Sequence, residues 1–508
     1  MSVKRNAIAN YAGQLYSLLI SIVTLPIFLS IMGPDAYGLV GFYTVIYAWI
    51  MIFDLGITPA LSREVARLKT QPDSSQQLAS IASSFERLFS FMSFSVAALM
   101  LGLSSWISEN WLVNERLDES RVIFALQFLA FAVALRWQST IYRSVINGYE
   151  AQVWLNGIDL VISTLRYPLL LLVMTIDPEK FEWFFICQAG ISALELIVLR
   201  WKHSSLIPGR GELPGFNPVL LRPLLPFALS AAYASALGVT LAQYDKLILS
   251  SVLPLDEYGY FALVGVITGG ILTLSGPISR AILPRLTALL AANRHEEMMA
   301  LYRQASMWMV VSLSPLIISI ALWPYETLFA WTGNSQAAMW VAPVLPLFVA
   351  VAGLTSVTVF QYFLQYAHGD LSLNVRFNTA LFVVSIPAIT YAANTFGVVG
   401  VAWILVVTRS VAFVLWIPYV HQRFAPGIHW SWLSNSVIKP LSVALIPLIL
   451  LKHQTSDFLT LQSLTQPQTL AFIVVTVATG YAALGVWLWF TGRLTPAMLL
   501  SKQDTLNR

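Results

Sequence analysis

Charged residues are scarce in this sequence, and cysteine is almost absent. Asp, Glu, Lys and Arg make up 11% of the 508 residues, whereas soluble domains carry about 25%. The single cysteine, Cys187, excludes an intramolecular disulfide. The net charge of +4 is small for so long a chain and does not suggest a nucleic acid partner. With so few charged residues the chain cannot form the polar surface of a soluble globular protein, and that class is excluded.

The residue clusters that hold metals and nucleotides are also missing. No H-E-x-x-H or Cys/His cluster occurs, and we place all six histidines in loops: His203, His295, His368, His421, His429 and His453. Gly209-x-Gly211 lies in a Gly- and Pro-rich segment with no strand before it, which indicates a linker rather than a phosphate loop. We therefore expect no metal, no cofactor and no ATP-driven step.

Long apolar runs dominate the sequence instead. Hydrophobic residues make up 57%, and the mean hydropathy is +0.71. A hydrocarbon core about 30 Å thick needs roughly 20 apolar residues of helix, and backbone groups in lipid must be satisfied within the segment. The sequence therefore predicts an all-α polytopic membrane protein with about fourteen transmembrane helices, at 8–32, 37–60, 86–107, 121–143, 153–176, 182–200, 224–252, 258–283, 304–330, 341–365, 377–395, 398–420, 438–451 and 469–491.

Positive charges alternate between the loops. Most Lys and Arg residues, Arg143 among them, fall on one side of the predicted membrane, and the other side has only Arg116, Arg121, Lys180 and Lys452. The positive-inside rule makes the first side cytoplasmic. This predicts that both termini are cytoplasmic. The outer loops are short and acidic, so we expect no outer domain.

A sequence repeat divides the chain. Asp35-x-Tyr37-Gly38 matches Asp256-x-Tyr258-Gly259, and six predicted helices lie in the first copy. An even number of helices gives both copies the same orientation, which predicts a parallel pseudo-twofold repeat of two six-helix bundles. We expect Asp35 and Asp256 at equivalent outer corners, where helix pairs 1–2 and 7–8 close an outer gate. The predicted domains are a bundle at 1–200, a cytoplasmic linker at 201–222, a bundle at 223–420, and two further helices with a cytoplasmic tail at 421–508.

An ordered set of residues resembles the Wzx-type polysaccharide flippases of the multidrug/oligosaccharidyl-lipid/polysaccharide exporter superfamily. The resemblance covers predicted helices 1–12. It rests in the first half on Asn10, Gly13, Pro26, Gly33-x-x-x-Tyr37-Gly38, Asp54-x-Gly56 and Arg63, and in the second on Asp245-Lys246, Leu249, Tyr258-Gly259 and Leu283-Pro284.

This resemblance implies a function. It implies two bundles around a central cavity that alternate between inward-open and outward-open forms. The implied activity is not enzymatic: a flippase translocates a polyprenyl-diphosphate-linked oligosaccharide to the outer leaflet for cell-surface polysaccharide biosynthesis. The implied location is the bacterial cytoplasmic membrane. The expected partners are membrane lipids, this lipid-linked substrate and other polysaccharide-assembly proteins.

Two arginines lie deep in predicted helices. Charges at a helix centre cost roughly 2.5–3.5 kcal/mol on insertion scales, so Arg166 and Arg409 need a reason to be there. One interpretation is that they line the cavity and bind the diphosphate, because the guanidinium makes bidentate contacts with phosphate. The other is a structural pair with a buried carboxylate. Asp159, seven residues before Arg166, is about 10 Å away along the helix and is too far for an intimate pair.

Further charged residues form two candidate groups. Asp245 and Lys246 are adjacent on helix 7 and face different directions, so we expect each to pair with another helix, as a lobe-bridging salt bridge or as a static clamp. Both are also candidate substrate-binding residues of the cavity, beside the two deep arginines. A second set lies in the cytoplasmic third of helices 2, 4, 5 and 6. It is either a structural polar network or a site for a coupling ion, and consists of Asp54, Arg136, Asp159 and Glu195.

Three other functions remain as alternatives. A cation-coupled multidrug exporter of the same superfamily is expected to have carboxylates in its cavity rather than arginines. A membrane-embedded glycan-assembly enzyme usually carries a large outer loop with catalytic residues, which this sequence lacks. A scaffold has no need for buried arginines.

Overall fold

The computed structural model describes residues 3–54, 57–71, 75–177, 180–207, 225–455 and 464–492. Within these ranges the chain is helical, and the only β-type pairing is an isolated bridge between Val113 and Pro254. The predicted all-α class is confirmed. Most of the predicted linker at 201–222 and the tail beyond 492 lie outside the described residues, and the predicted domain boundaries stay a prediction.

The described chain divides into two compact units, residues 1–259 and 260–508. The helices that lie wholly in the first unit are α1 Val3–Ile50, α2 Ile57–Leu68, α3 Ser75–Trp106, α4 Glu119–Gly148, α5 Gln152–Thr164, α6 Leu170–Ile176, α7 Glu182–Leu206 and α8 Leu225–Leu249.

Helix α9, Leu255–Ala291, begins in the first unit and continues into the second. The remaining helices of the second unit are α10 His295–Leu322, α11 Pro324–Thr332, α12 Ser335–Val341, α13 Leu345–Ala367, α14 Ser372–Val411, α15 Ile417–Phe424, α16 His429–Trp432, α17 Lys439–Thr455 and α18 Gln466–Phe490.

Two of these helices are broken by glycines. Gly33 has φ +78° inside α1, and Gly397 has φ +60° inside α14. Residues with a Cβ rarely adopt this left-handed region, so glycine allows the chain to turn there. Each break separates two of the predicted helices.

Eleven described segments are long and apolar enough to span a membrane. Tyr16–Asp54 and Ser372–Phe424 each contain two predicted helices, and predicted helix 7 corresponds to α8, which is not among the eleven. The thirteenth helix, predicted at 438–451, belongs to a longer span, His429–Thr455. A multi-pass membrane fold is therefore established, and the number of fourteen crossings stays a prediction.

The core of the first unit is built around α4. Trp137 is fully buried there and packs against Phe89 of α3 at 5.6 Å between ring centroids. Gly148, at the end of α4, allows close contact with Val65 and Ser62 of α2, where a Cβ would collide. Because α3 and α7 also pack on α4, this helix holds its polar side chains inside the bundle.

Helix α8 and the start of α9 pack on α1 within the first unit. Trp49 and Tyr244 make an edge-to-face contact, with centroids 6.5 Å apart. A Cβ on Gly38 would collide with the Leu255 carbonyl, and a Cβ on Gly259 would collide with that of Pro34. The glycines of the two repeated motifs thus allow the backbones at the two motifs to touch.

The second unit contains a buried polar group that we did not expect. His421 is 1% exposed on α15, its Nε2 lies 2.7 Å from the Tyr302 hydroxyl, and its Nδ1 lies 3.1 Å from Nδ1 of His429. His203 is likewise buried, on α7. The prediction that all histidines lie in loops is therefore wrong for five of the six, and only His368 lies outside a helix; the five are His203, His295, His421, His429 and His453.

Candidate functional site

Glu195 is the centre of a buried charge cluster in the first unit. It lies on α7 with a side chain that is 7% exposed, and it accepts from Arg166 Nη2 at 3.0 Å and from Arg143 Nη2 at 2.7 Å. A buried carboxylate is tolerated only when it is paired and hydrogen-bonded. The two guanidiniums supply both conditions for Glu195 within the helix bundle.

Arg166 reaches Glu195 from a widened turn. Residues Leu165–Leu169 form a π turn between α5 and α6, and Pro168 lies inside it. Proline has no N–H to donate and crowds the preceding turn, which favours such a bulge. Arg166 is 8% exposed, and its Nε has no hydrogen-bond partner among the described residues. The buried guanidinium therefore retains one donor group for a further acceptor.

Arg143 joins the second carboxylate to the cluster. Its Nη2 donates to Asp159 Oδ1 at 2.5 Å while it also contacts Glu195. Asp159 lies on α5 and is more exposed than Glu195, with 37% of its side chain accessible. Helices α4, α5 and α7 are thus tied together through a single guanidinium.

Arg136 lies two turns before Arg143 on α4 and faces α1. Its guanidinium stacks over the Tyr47 ring at 4.1 Å from the centroid and donates to the Tyr43 hydroxyl at 3.2 Å. Its charge is attracted by Glu195 and repels that of Arg166. Arg136 therefore belongs to the cluster through its charge, although the side chains in closest contact with it are aromatic.

The cluster has an excess of positive charge. Arg136, Arg143 and Arg166 carry three guanidiniums, and Asp159 and Glu195 carry two carboxylates, which leaves one positive charge. In a poorly hydrated setting such a group of donors favours an anion with several oxygens, because charge-assisted hydrogen bonds are strong there.

Of the predicted network, three members come together here and Asp54 does not. Asp54 ends a short 3₁₀ turn, Met51–Asp54, and accepts a hydrogen bond from the Thr58 hydroxyl. Arg136, Asp159 and Glu195 share one cluster with Arg166. Whether this network binds a coupling ion stays a prediction.

Asp245 and Lys246 are arranged differently from our expectation. Lys246 Nζ donates to the Ala242 carbonyl of its own helix at 2.9 Å and lies 3.9 Å from Asp245 Oδ1. The prediction that each pairs with another helix is therefore wrong for Lys246. The carbonyl of Lys246 accepts from the Tyr258 hydroxyl at 3.1 Å, which attaches this dipeptide to the second repeated motif.

The two deep arginines lie in different units. Arg166 lies in the first unit and is paired with a buried carboxylate, as the structural interpretation supposed, but the partner is Glu195 and not Asp159. Arg409 lies near the end of α14 in the second unit and is half-buried. A substrate-binding role for either one stays a prediction.

Arg143 is the cluster residue that sequence reasoning missed. We placed it at the cytoplasmic end of the helix predicted at 121–143, whereas α4 continues to Gly148 and the side chain contacts Glu195 of α7. The spacing of seven residues between Arg136 and Arg143 was the available signal, because residues seven apart share a helix face.

The sequence is similar to known proteins over most of its length. The model of a family described as "Polysaccharide biosynthesis protein" matches residues 3–290. A protein from Shigella flexneri named "Putative O-antigen transporter" is 21% identical over 338 residues, which are 66% of this chain and 78% of that protein.

Solved structures share the fold. A lipid II flippase, MurJ, in an inward closed conformation aligns with a TM-score of 0.69 at 11% identity, covering 96% of this chain and 99% of that one. An inward-facing multidrug resistance MATE family transporter of the MOP superfamily aligns with a TM-score of 0.62 at 13% identity, covering 84% and 96%. At these identities the likeness concerns the fold alone.

Proposed function

Because the chain belongs to the polysaccharide biosynthesis protein family, we propose that it is a flippase for a polyprenyl-diphosphate-linked oligosaccharide. It would carry this lipid from the cytoplasmic to the outer leaflet of the bacterial cytoplasmic membrane by alternating access, with both termini cytoplasmic. The name of its Shigella flexneri relative, an O-antigen transporter, supports transport of a glycan rather than catalysis.

The excess positive charge of the Glu195 cluster carries this proposal. A diphosphate presents several anionic oxygens, and guanidiniums bind such groups through paired N–H donors. Arg166 is oriented by Glu195, and its Nε–H has no acceptor within the described part of the chain. A drug cation would instead be repelled by the three arginines, so the cluster disfavours the alternative of a cation-coupled drug exporter.

We propose that the diphosphate shares the arginines of Glu195. Arg143 and Arg166 are held in place by carboxylates in the substrate-free protein, which avoids uncompensated buried charges. When the diphosphate arrives, its oxygens share the guanidinium donors with the carboxylates, so that Glu195 stays paired, and the guanidiniums are already oriented to donate. Arg409, Asp245 and Lys246 are proposed as further substrate-binding residues.

The decisive experiment is reconstituted flipping. Purified protein in vesicles should move a polyprenyl-diphosphate oligosaccharide, measured by protection of the glycan from an added glycosidase. Arg166→Ala should lose most of this activity, while Arg200→Ala should retain it, because Arg200 is exposed and pairs with Glu86 at 3.4 Å outside the cluster.

Two results would contradict the proposal. One is full activity of a well-folded Arg166→Ala, Arg143→Ala double variant. The other is wild-type protein that exports cationic dyes but leaves the glycan lipid in its original leaflet.

A further inference from the structure

The repeated motifs are bridged by one exposed arginine. Arg116 lies in the loop between α3 and α4, and its Nη1 is 2.9 Å from Asp256 Oδ2 and 3.6 Å from Asp35 Oδ2. Asp35 belongs to the first D-x-Y-G motif and Asp256 to the second, and all three residues lie in the first unit. The carboxylates are only 16% and 15% exposed, whereas the arginine is 62% exposed.

The loop that carries Arg116 is fastened to the second motif. Leu255 N donates to the Val113 carbonyl at 3.0 Å, and Trp111 Nε1 donates to the Ser250 hydroxyl at 3.0 Å. The Asn114 side chain closes the loop onto Leu117, accepting from its N–H and donating to its carbonyl. These contacts hold Arg116 over the place where the two motifs meet.

The backbones beneath Arg116 are in direct contact. Gly38 follows Asp35 by three residues and lies against the Leu255 carbonyl, and Gly259 follows Asp256 by three residues and lies against that of Pro34. Tyr37 and Tyr258 are each 2% exposed beside these glycines. The contact is therefore closely packed in its interior, and Arg116 lies at its rim.

We propose that Arg116 is an ionic latch that holds this contact, the predicted outer gate, closed. The charges of Asp35 and Asp256 repel each other, so the two motifs approach stably only while a guanidinium lies between them. When the gate opens, Arg116 loses its contact with at least one of the two carboxylates, and the separated charged groups become hydrated. Arg116 is thus a positioning residue that sets the balance between gate-closed and gate-open forms, an inference that rests on the proposed transport function.

The latch is tested by the accessibility of a buried position just after α8, where Trp111 fastens the loop that carries Arg116. Ser250 is 1% exposed, so a Ser250→Cys, Cys187→Ser protein should react slowly with a membrane-impermeant maleimide added to whole cells. Adding Arg116→Ala should raise the reaction rate by up to roughly fivefold, the upper end of the effect of an exposed ion pair. Arg116→Lys should give an intermediate rate.

Matched variants distinguish a specific effect of Arg116 on labelling from a general loosening of the structure. Arg121→Ala removes another outer ion pair, with Glu182, and should leave the rate unchanged. In an Asp35→Asn, Asp256→Asn background, Arg116→Ala should have no further effect, because there is no longer a repulsion to bridge. A Lys180→Cys protein should react quickly and confirm that the reagent reaches this side.

The latch would be overturned if Arg116→Ala left the labelling rate at position 250 unchanged. It would also be overturned if Arg116→Ala raised that rate equally in the Asp35→Asn, Asp256→Asn background. The measurement needs no substrate. If the labelling responds as expected but the glycan lipid is not flipped, the latch stands and the proposed function falls. If flipping occurs and labelling is insensitive to Arg116, only the latch falls.

Discussion

Arg143 lies 2.7 Å from Glu195 and 2.5 Å from Asp159, so one guanidinium on α4 joins carboxylates from α7 and α5. The same Glu195 accepts from Arg166 on its other oxygen. The arrangement connects three helices through charges that lipid would not tolerate singly. It makes the stability of the bundle and the orientation of its arginines depend on the same residue.

Removing the charge of Glu195 is expected to destabilise the protein. Glu195→Gln leaves the buried guanidinium of Arg166 without its carboxylate and Arg143 with Asp159 alone, and breaking a buried pair from one side costs about 3–5 kcal/mol. Thermal unfolding in detergent should show a clearly lower midpoint. Glu86→Gln on α3 is the matched control, since its partner Arg200 is exposed.

Replacing both partners of the buried pair should separate stability from transport. An Arg166→Leu, Glu195→Leu protein leaves no unpaired charge on either residue, and apolar replacement of a buried pair is often neutral for stability. We expect a thermal midpoint near that of the wild type together with loss of glycan flipping. Retained flipping would show that the pair is only structural.

The geometry of the guanidinium should matter at Arg166 and Arg409. Replacement of either residue by Ala is expected to abolish surface glycan while the protein stays in the membrane. Replacement by Lys should restore display only partly, because a point charge loses the bidentate contact with phosphate. Glycan display is measured beside protein abundance in the membrane, and normal display by the double Ala variant would contradict the prediction.

Adding a methyl group at the motif glycines should disturb the contact between the repeated motifs. Gly38→Ala and Gly259→Ala would press a Cβ onto a carbonyl, an overpacking that costs about 1–3 kcal/mol. Both should lower the thermal midpoint and speed maleimide labelling at position 250. Gly190→Ala, where nothing lies within 4 Å of the added Cβ, should do neither.

Labelling also tests the topology. Glu150 and Lys180 are exposed at opposite ends of the α5–α6 segment, and the charge alternation places them on opposite sides of the membrane. In the Cys187→Ser background, Glu150→Cys should react only after the cells are permeabilised, while Lys180→Cys should react in intact cells. Reaction of both in intact cells would contradict the predicted sidedness.

Sequence alone was sufficient to predict the class of fold and much of its framework. Apolar length identifies membrane helices because lipid forces every backbone polar group to bond within its own segment. Because a charged side chain is costly in lipid, Arg166 could be recognised as unusual from its depth in an apolar run. The repeat of Asp35-x-Tyr37-Gly38 at Asp256 was likewise visible, since a matching motif needs no structural information.

Tertiary structure decided which charges meet. Glu195 and Arg143 are 52 residues apart, and their contact depends on how α4 and α7 pack. Hydropathy cannot show this, because it describes each segment by itself and does not indicate which helices pack together. The bridging of Asp35 and Asp256 by Arg116 depends in the same way on two glycines that let the backbones touch. Local pattern determines that a segment crosses the membrane, whereas only the packed helices bring distant charged side chains to within hydrogen-bonding distance.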